Sequence, residues 1–372
     1  MDRTILHIFP SFGMGGAQIR TIDLANNLLA DMHHVIVALD GDCSAAELLN
    51  ADVRHTLDRI GCRPSSRPDL GNLKAFRRLL ARHRPAVLIT YNWGSIEAAL
   101  ANRLVPLCPH LHFEDGFGQD ETLGRQLPRR DWARRLALSG KSTVVVPSRT
   151  LLGIARGIWR LGSKRLRYIP NGIDCRRFAM PRRASAIPVR QSDREILIGT
   201  VGTLRAEKNV ARLLRLFAGL QSEQPLRLVI VGDGPERRSL EGLAAGLGIA
   251  DRTVFTGRQR TPEDVLSQLD IFAITSDTEQ MPYCLIEAMA AGLPVVATDV
   301  GDVKAMMPAA SQAFVATPDD EASLGTKLAR LIARPTLRGS IGELNGKHAR
   351  LRFDRRAMLD QYRDLFSRFL PA

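Results

Sequence analysis

Residues 276–302, SDTEQMPYCLIEAMAAGLPVVATDVGD, contain the pattern that decides the fold. The apolar run 288–291 predicts a helix, and Gly292 is expected to end it because glycine readily takes the left-handed conformation at a helix terminus. Short buried strands are predicted on either side, at residues 271–274 and 295–298. This order indicates a parallel α/β sheet, and the loop between the first strand and the helix lies where such sheets bind ligands.

Two glutamates mark this stretch, Glu279 in the loop and Glu287 near the start of the predicted helix. The N–H groups at a helix start favour an anion, and the helix dipole also favours a carboxylate there. A carboxylate can accept two hydrogen bonds from a diol such as a ribose. On the spacing alone, a helix-start glutamate without any ligand is an equally good interpretation.

The spacing E-x7-E, followed by A-M-A-x-G-x-P-V-V-A-T-x-x-G, resembles the donor-site signature of retaining glycosyltransferases of family 4. Three further marks of that family precede it in family order. They are the pair Gly15-Gly16, the turn I-P-N-G-I-D at 169–174 and the loop G-T-L-R-A-E-K-N at 202–209. The resemblance implies an α/β fold class with two Rossmann-like domains facing across a cleft, the GT-B architecture.

The composition is that of a globular protein. The 372 residues are enough for two domains, and 45% apolar with 24% charged residues is typical of a soluble chain. Aromatic residues make up only 5%, which argues against a surface built mainly on base stacking. Five cysteines without a C-x-x-C pair indicate reduced thiols and a cytoplasmic setting. We expect neither a membrane-spanning stretch nor a signal peptide.

The net charge of +13 is concentrated in the first half of the chain. Residues 1–190 hold 29 Lys and Arg against 16 Asp and Glu, whereas residues 191–372 hold 23 of each. Such an excess fits nucleic acid, an anionic membrane face or a phosphorylated acceptor. The basic stretch 125–135 includes Trp132, a combination found in membrane-surface helices, although a solvated helix face is the more usual interpretation of such a charge run. Its arginines after position 128 are Arg129, Arg130, Arg134 and Arg135.

The domain boundary is predicted from a loss of periodicity. Residues 176–195 are rich in Pro, Ser and Arg and lack an apolar face, as expected of a linker. We therefore expect an acceptor-side domain at 1–180, a linker at 181–195 and a donor-binding domain at 196–354. A terminal helix is predicted within 355–372, and the resemblance implies that it packs back on the first domain.

A glycine-rich loop follows the first predicted strand. Gly15 and Gly16 precede a helix, a layout that either holds a phosphate or simply makes a tight turn. The resemblance implies that this loop approaches the donor diphosphate and the acceptor. The D-x-D at 40–42 also follows a strand, and we interpret it as turn chemistry and not as a metal site.

Two histidines near the end of another strand compete for a polar role, His110 and His112. H-F-E-D-G at 112–116 resembles the family's H-x-E-H-G, with Asp115 in place of the second histidine. The resemblance implies that His112 lines the acceptor side. It also implies that Asn171 faces the donor, although Asn-Gly is an ordinary turn dipeptide.

In the second domain, Arg205 and Lys208 lie between a strand and a helix, where two cations favour a diphosphate. Thr203 stands where the family usually has arginine, so Lys208 is the stronger candidate. Further donor contacts are implied by the resemblance. They involve Gly202, Gly232, the main chain near Arg258, and the main chain at Met281 and Pro282, where this chain departs from the family's Glu-Gly-Phe-Gly.

These expectations combine into a retaining, metal-independent glycosyltransferase of the hexosyltransferase type. Glu287 would bind the ribose, Glu279 the sugar, and Lys208 with Arg205 the leaving diphosphate. The donor is a nucleotide diphosphate sugar, no cofactor is expected, and the acceptor is a glycan or lipid-linked molecule of cell-surface polysaccharide or glycolipid synthesis. We expect a cytoplasmic protein with peripheral contact to an anionic membrane. The alternatives are a GT-B sugar-nucleotide epimerase and, with less support, a basic nucleic-acid-binding protein.

Overall fold

The computed structural model describes residues 3–62, 69–117, 121, 126–179 and 191–370. The chain divides into two compact units, residues 1–171 with 356–372, and residues 172–355. Most of the predicted linker, residues 181–190, lies outside the described residues. In the described part of the chain, no helix has both the length and the apolar content needed to cross a membrane.

The first unit is built on a seven-stranded parallel sheet with the order β3-β2-β1-β4-β5-β6-β7. Its strands are β1 (Thr4–Phe9), β2 (His33–Ala38), β3 (His55–Asp58), β4 (Val87–Tyr91), β5 (His110–Phe113), β6 (Thr143–Val146) and β7 (Leu166–Tyr168). The connecting helices are α1 (Gly16–Asn27), α2 (Leu70–His83), α3 (Ile96–Leu104), α4 (Pro128–Leu138) and α5 (Arg149–Gly157). The central strands are buried, as expected where helices cover a parallel sheet.

The second unit contains a six-stranded parallel sheet with the order β10-β9-β8-β11-β12-β13. Its strands are β8 (Ile196–Val201), β9 (Leu226–Val231), β10 (Thr253–Gly257), β11 (Ile271–Ile274), β12 (Val295–Thr298) and β13 (Val315–Ala316). Its helices are α6 (Cys175–Phe178), α7 (Val210–Ala218), α8 (Arg237–Gly246), α9 (Pro262–Leu266), α10 (Tyr283–Ala290), α11 (Val303–Met306), α12 (Glu321–Ile332) and α13 (Pro335–Arg352).

The last helix, α14 (Arg355–Phe366), belongs to the first unit from Arg356 onward. Its apolar side chains, including Met358 and Tyr362, join the core cluster that contains Phe9 and Phe113. The Tyr362 and Phe113 rings lie 5.8 Å apart. The first unit therefore needs the end of the chain to complete its core.

Each sheet reverses its strand order at one point. In the first unit the reversal lies between β1 and β4, and in the second between β8 and β11. The chain leaves neighbouring strands in opposite directions there, so their carboxyl ends leave a crevice in which doubly wound sheets bind ligands. The expected fold class of Rossmann-like α/β domains is confirmed by these two sheets.

Two expectations about local structure differ from what is observed. Helix α10 begins at Tyr283, so Glu287 lies one turn inside the helix, and the expectation that it stands near the start was wrong. Pro282, in extended conformation, sets the start. Residues 172–179, which the sequence assigns to the first domain, lie in the second unit because Ile173 pairs with Asp354. The end of α10 is as expected, since Gly292 has φ +75°.

Candidate functional site

A pocket opens at the strand-order reversal of the second unit, between the ends of β8 and β11. Two segments border it, the Lys208 loop (residues 205–209) after β8 and the Glu279 loop (residues 275–279) after β11. The lining residues include Gly202 and the side chains of Thr203, Lys208, Ser276, Glu279 and Cys284. Because Cys284 is the second residue of α10, the first turn of that helix also borders the pocket.

The Glu279 carboxylate is held by two donors on the same oxygen. Lys208 Nζ lies 2.6 Å from Glu279 Oε1, and Ser276 Oγ donates to this oxygen over 2.8 Å. Glu279 and Ser276 are both buried. The arrangement turns one carboxylate oxygen toward the loops, so the other is the oxygen that can accept a hydrogen bond from a ligand.

Lys208 is held as a cation. Burial by itself lowers the pKa of Lys208, but the neighbouring Glu279 carboxylate outweighs this effect, and the net pKa lies above the ordinary value. Conversely, burial raises the pKa of the Cys284 thiol to about 12, so this thiol is neutral at physiological pH. The pocket thus combines one fixed ammonium, one carboxylate and a helix start, which suits a ligand with a diphosphate and hydroxyl groups.

The predicted glycines lie where backbones approach each other closely. A Cβ on Gly232, which has φ +136°, would lie 1.9 Å from the carbonyl oxygen of Gly202. The Gly232 N–H donates to the Gly257 carbonyl over 2.9 Å. These contacts bring the ends of β8, β9 and β10 together beside the pocket and exclude a side chain at position 232.

Four other predicted donor residues lie outside the pocket lining. Arg205 and Arg258 are exposed, and neither is among the residues that line the pocket. Met281 and Pro282 are buried in the turn that precedes α10, and the Gln280 carbonyl beside them accepts the Asp302 N–H over 2.9 Å. Lys208 is therefore the predicted cation that the structure places at the pocket.

Glu287 lies outside the pocket lining, in a second cluster formed by α6, α9 and α10. Burial raises the pKa of Glu287 to about 7; Arg177 opposes this shift and Glu263 adds to it. Arg177 Nε donates to Glu263 Oε1 over 2.5 Å. Arg177 lies in the part of the sequence that was interpreted as a linker, so its position near Glu287 was missed. A sequence signal for it was absent because 86 residues separate Arg177 from Glu263.

In the first unit, Gly15 and Gly16 form the start of α1. Gly15 is the N-cap residue in extended conformation, and Gly16 is the first helical residue. Gln18 Nε2 donates to the Ser11 carbonyl over 2.7 Å, which closes the loop on the helix. The predicted turn at 40–42 is also observed, since Asp40 accepts the N–H of Asp42, and Asp42 accepts that of Ser44, each over 2.9 Å.

His112 is fully buried within the first unit. Its Nδ1 lies 2.8 Å from Thr90 Oγ1, and its Nε2 lies 3.5 Å from Glu114 Oε2. The competing His110 shares the same Thr90 hydroxyl, also at 2.8 Å. Both rings thus belong to one internal polar network, and a role for His112 at the acceptor stays a prediction.

Asp115 has a partner that sequence reasoning missed. It forms a two-point ion pair with Arg20, a buried residue of α1, and Arg20 Nη2 donates to Asp115 Oδ2 over 2.8 Å. Arg20 Nη1 also lies 3.3 Å from Oδ1 of Asn171. The pair joins helix α1 to the segment that follows β5, and it accounts for a carboxylate at position 115. The sequence feature that could have indicated this pair was a lone arginine on the otherwise mostly apolar face of α1.

The basic stretch 125–135 does not form one exposed face. Arg134 is buried, with Nη2 2.9 Å from Glu121 and Nε 3.3 Å from Glu114. Trp93, Phe117 and Trp159 surround its guanidinium at about 5 Å. Arg129, Trp132 and Arg135 remain exposed. The interpretation of all these arginines as one surface was therefore wrong for Arg134, because packing places it inside.

Two sequence models of known families match the chain, and each falls almost entirely within one unit. The model described as "Glycosyltransferase Family 4" matches residues 14–177. The model described as "Glycosyl transferases group 1" matches residues 183–348. The chain therefore carries two glycosyltransferase family domains and has the GT-B fold.

Individual relatives agree with this class. LpsD of Rhizobium meliloti, a lipopolysaccharide core biosynthesis glycosyltransferase, is 33% identical over 177 residues, 48% of this chain and 50% of LpsD. N-acetyl-alpha-D-glucosaminyl L-malate synthase of Bacillus anthracis is 26% identical over 175 residues, 47% of this chain and 46% of that protein. The chain thus spans about half the length of these curated relatives.

The fold is also that of a solved structure, HepE from Anabaena in complex with UDP and glucose. The TM-score is 0.80 with 20% sequence identity, over 98% of this chain and 100% of that chain. At this identity the likeness shows the fold and leaves the substrate open.

Proposed function

We propose that this protein is a retaining glycosyltransferase, which moves a sugar from a nucleotide diphosphate sugar to a glycan or a lipid-linked acceptor without a metal ion. The observation that carries the proposal is the contact of Lys208 with Glu279 in the pocket between β8 and β11. This pocket lies at the strand-order reversal, and the matched family domains are glycosyltransferase domains.

The chemistry follows from the charges at this pocket. When the bond between the anomeric carbon and the donor phosphate breaks, negative charge develops on the leaving diphosphate. The fixed ammonium of Lys208, with Arg205 nearby in sequence, would stabilise that charge. These side-chain cations would take the role that a metal ion would otherwise have. Glu279 would contact the sugar and offset positive charge at its anomeric carbon, while Glu287 would accept hydrogen bonds from the ribose hydroxyls.

Retention of configuration can follow two routes. In front-face attack, the acceptor oxygen bonds to the anomeric carbon while the leaving phosphate takes the acceptor's proton. In double displacement, a carboxylate attacks the anomeric carbon and expels the diphosphate. The acceptor oxygen then displaces the carboxylate from this glycosyl ester while a base takes the acceptor's proton. Both routes require that the negative charge on the leaving diphosphate be neutralised.

The acceptor is proposed from charge and likeness together. The basic first half suits a phosphorylated or membrane-associated acceptor, and LpsD acts in lipopolysaccharide core biosynthesis. We therefore propose a role in cell-surface polysaccharide or glycolipid synthesis, in the cytoplasm, with peripheral contact to an anionic membrane.

Heat stabilisation by nucleotides tests the donor site directly. The purified protein is unfolded in EDTA with UDP, GDP, ADP or dTDP and with the glucose ester of each. A ligand at a hundred times its dissociation constant should add about 2.7 kcal/mol to the free energy of unfolding. We expect one base to stabilise the protein, and EDTA to leave the shift unchanged.

Two lysine variants make this experiment specific. Lys208→Ala should lose the shift, because the ammonium that meets the diphosphate is gone. Lys304→Ala should keep it, since Lys304 is half-exposed and pairs with Asp299. Absence of any shift for the wild type, in EDTA or with magnesium, would refute the donor site. A shift that persists in Lys208→Ala would refute the role of that residue.

A further inference from the structure

The two loops that border the pocket are joined by hydrogen bonds behind it. The Asp277 N–H donates to the Glu207 carbonyl over 2.8 Å, and Thr275 Oγ1 donates to the Asn209 carbonyl over 3.0 Å. Asn209 Nδ2 lies 3.1 Å from both carboxylate oxygens of Asp277. Asn209 also caps α7, with its Oδ1 accepting the Arg212 N–H over 3.1 Å. The Lys208 loop and the Glu279 loop therefore share one network at the start of α7.

Arg212 is the charged member of this network. It is buried, and its Nη1 donates to the Thr275 carbonyl over 2.6 Å and lies 2.9 Å from Asp277 Oδ1. Its Nε donates to Glu321 Oε1 over 3.1 Å, which fixes the plane of the guanidinium. A planar guanidinium with several bonds holds its partners in one geometry better than a flexible ammonium does. Arg212 does not line the pocket.

On its opposite side, the Glu279 loop is held by a neutral hydrogen bond and a close backbone contact. Thr298 Oγ1 donates to the Ser276 carbonyl over 2.7 Å. Gly301 lies so close that a Cβ there would be 2.1 Å from the Glu279 carbonyl oxygen. The loop is therefore fixed between Arg212 on one side and the end of β12 on the other. Loss of Arg212 would free one side only.

We propose that Arg212 is a positioning residue of the donor site, which places the Glu279 carboxylate against Lys208 through Thr275 and Asp277. This inference rests on the proposed function for its consequence in catalysis. Lys208 stands on its own loop and would still meet a diphosphate when Arg212 is removed. Glu279 would lose its alignment, so the sugar part of the donor should be affected more than the nucleotide part.

The test compares Arg212→Gln with Arg215→Gln, a matched change on the same helix. Arg215 is half-exposed and bonds Glu321, but has no bond to the Glu279 loop among those the structure gives for it. Hydrogen exchange of the ligand-free proteins is measured by mass spectrometry. The backbone amides of residues 275–281 should exchange at least about tenfold faster in Arg212→Gln and at the wild-type rate in Arg215→Gln. Arg212→Lys should restore part of the protection.

The second measurement uses the nucleoside diphosphate that stabilises the wild type, together with its glucose ester. Arg212→Gln should bind the diphosphate within about twofold of wild type, and the advantage of the sugar nucleotide should fall by about tenfold, as expected of misplaced contacts. Equal exchange in both glutamine variants, or an increase spread over the whole second unit, would overturn the positioning role. Failure of the wild type to bind any nucleotide would instead refute the proposed function, while the exchange data would still decide the role of Arg212.

Discussion

The burial of Glu287 makes the stability of the folded protein depend on pH. Burial raises the pKa of Glu287 from 4.5 to about 7, despite the opposing charge of Arg177. Below pH 4.5 the group is protonated in both the folded and the unfolded chain. Between pH 4.5 and 7 only the unfolded chain releases the proton, so the free energy of unfolding falls as the pH rises. Above pH 7 the loss is complete, and at 1.36 kcal/mol per pKa unit it reaches at most about 3 kcal/mol.

Glu287→Gln should therefore stabilise the free protein in a pH-dependent way. We expect a higher urea midpoint than wild type at pH 8 and nearly equal midpoints at pH 4.5, since the protonated carboxyl resembles the amide. Glu223→Gln, a change at an exposed position, serves as the control and should show no such difference between the two pH values. A gain of the same size at both pH values would contradict the raised pKa.

At the residue scale, sequence patterns identified some pocket residues and missed the residues that hold them in position. Lys208 and Glu279 stand in motifs with a family spacing, so both could be named in advance. Ser276 bonds Glu279 directly, whereas Arg212 bonds Thr275 and Asp277 of the same loop, and a serine or an arginine near a loop carries no pattern of its own. The Arg20–Asp115 pair could not be predicted because 95 residues separate its members.

At the scale of elements, the Glu279 loop before α10 depends on a glycine in the turn that follows β12. Gly301 has φ +57° and touches the Glu279 main chain. A residue with a side chain would have to adopt the left-handed backbone conformation here, which costs about 1–2 kcal/mol in addition to the clash. The close approach therefore links the position of Glu279 to the next strand.

Gly301→Ala should lower the stability of the protein by more than about 2 kcal/mol and weaken nucleotide binding. Gly242→Ala is the matched control, because a Cβ at this position of α8 meets no atom within 4 Å. Alanine in that helix should instead add up to about 1 kcal/mol. Urea unfolding of both variants provides the comparison. Midpoint shifts of the same sign and size would contradict the close contact.

Predicted strands agree with observed strands because short apolar runs are a local signal. The start of α10 was misplaced for a physical reason. The helix was predicted from the apolar run 288–291, but Leu285 and Ile286 are also buried and extend the apolar face backward. Pro282 was the better signal, since proline commonly stands at the first turn of a helix.

At the scale of the molecule, the proposed contact with an anionic membrane would rest on an exposed surface of the basic first half. Arg129, Trp132, Arg135 and Leu136 share the solvent-facing side of α4, with Trp132 66% exposed. Helix α3, which packs against α4, ends in the exposed residues Leu104 and Val105. Cations beside an aromatic ring are the composition that binds a charged interface.

The protein should bind vesicles that contain an anionic lipid at low salt and release them at high salt. Each basic residue near the surface contributes about 1 kcal/mol, so Arg129→Gln with Arg135→Gln should weaken binding about 30-fold. Arg238→Gln with Arg334→Gln, two exposed positions of the second unit, is the matched control. Equal binding to neutral vesicles, or no binding at low salt, would contradict a membrane role. Vesicle sedimentation measures the binding of the wild type and of the two double variants to anionic and neutral vesicles.

The alternation of strands and helices, and the loops that carry Lys208 and Glu279, can be derived from the sequence. These features depend on neighbours along the chain, where apolar periodicity and glycine positions act directly. The tertiary structure alone decided which loops meet. It placed β8 beside β11, brought Lys208 and Glu279 together across 71 residues and buried Arg134 and Arg20 against their carboxylates. Strand order and ion pairing join distant parts of a chain, so they depend on the packing of whole sheets.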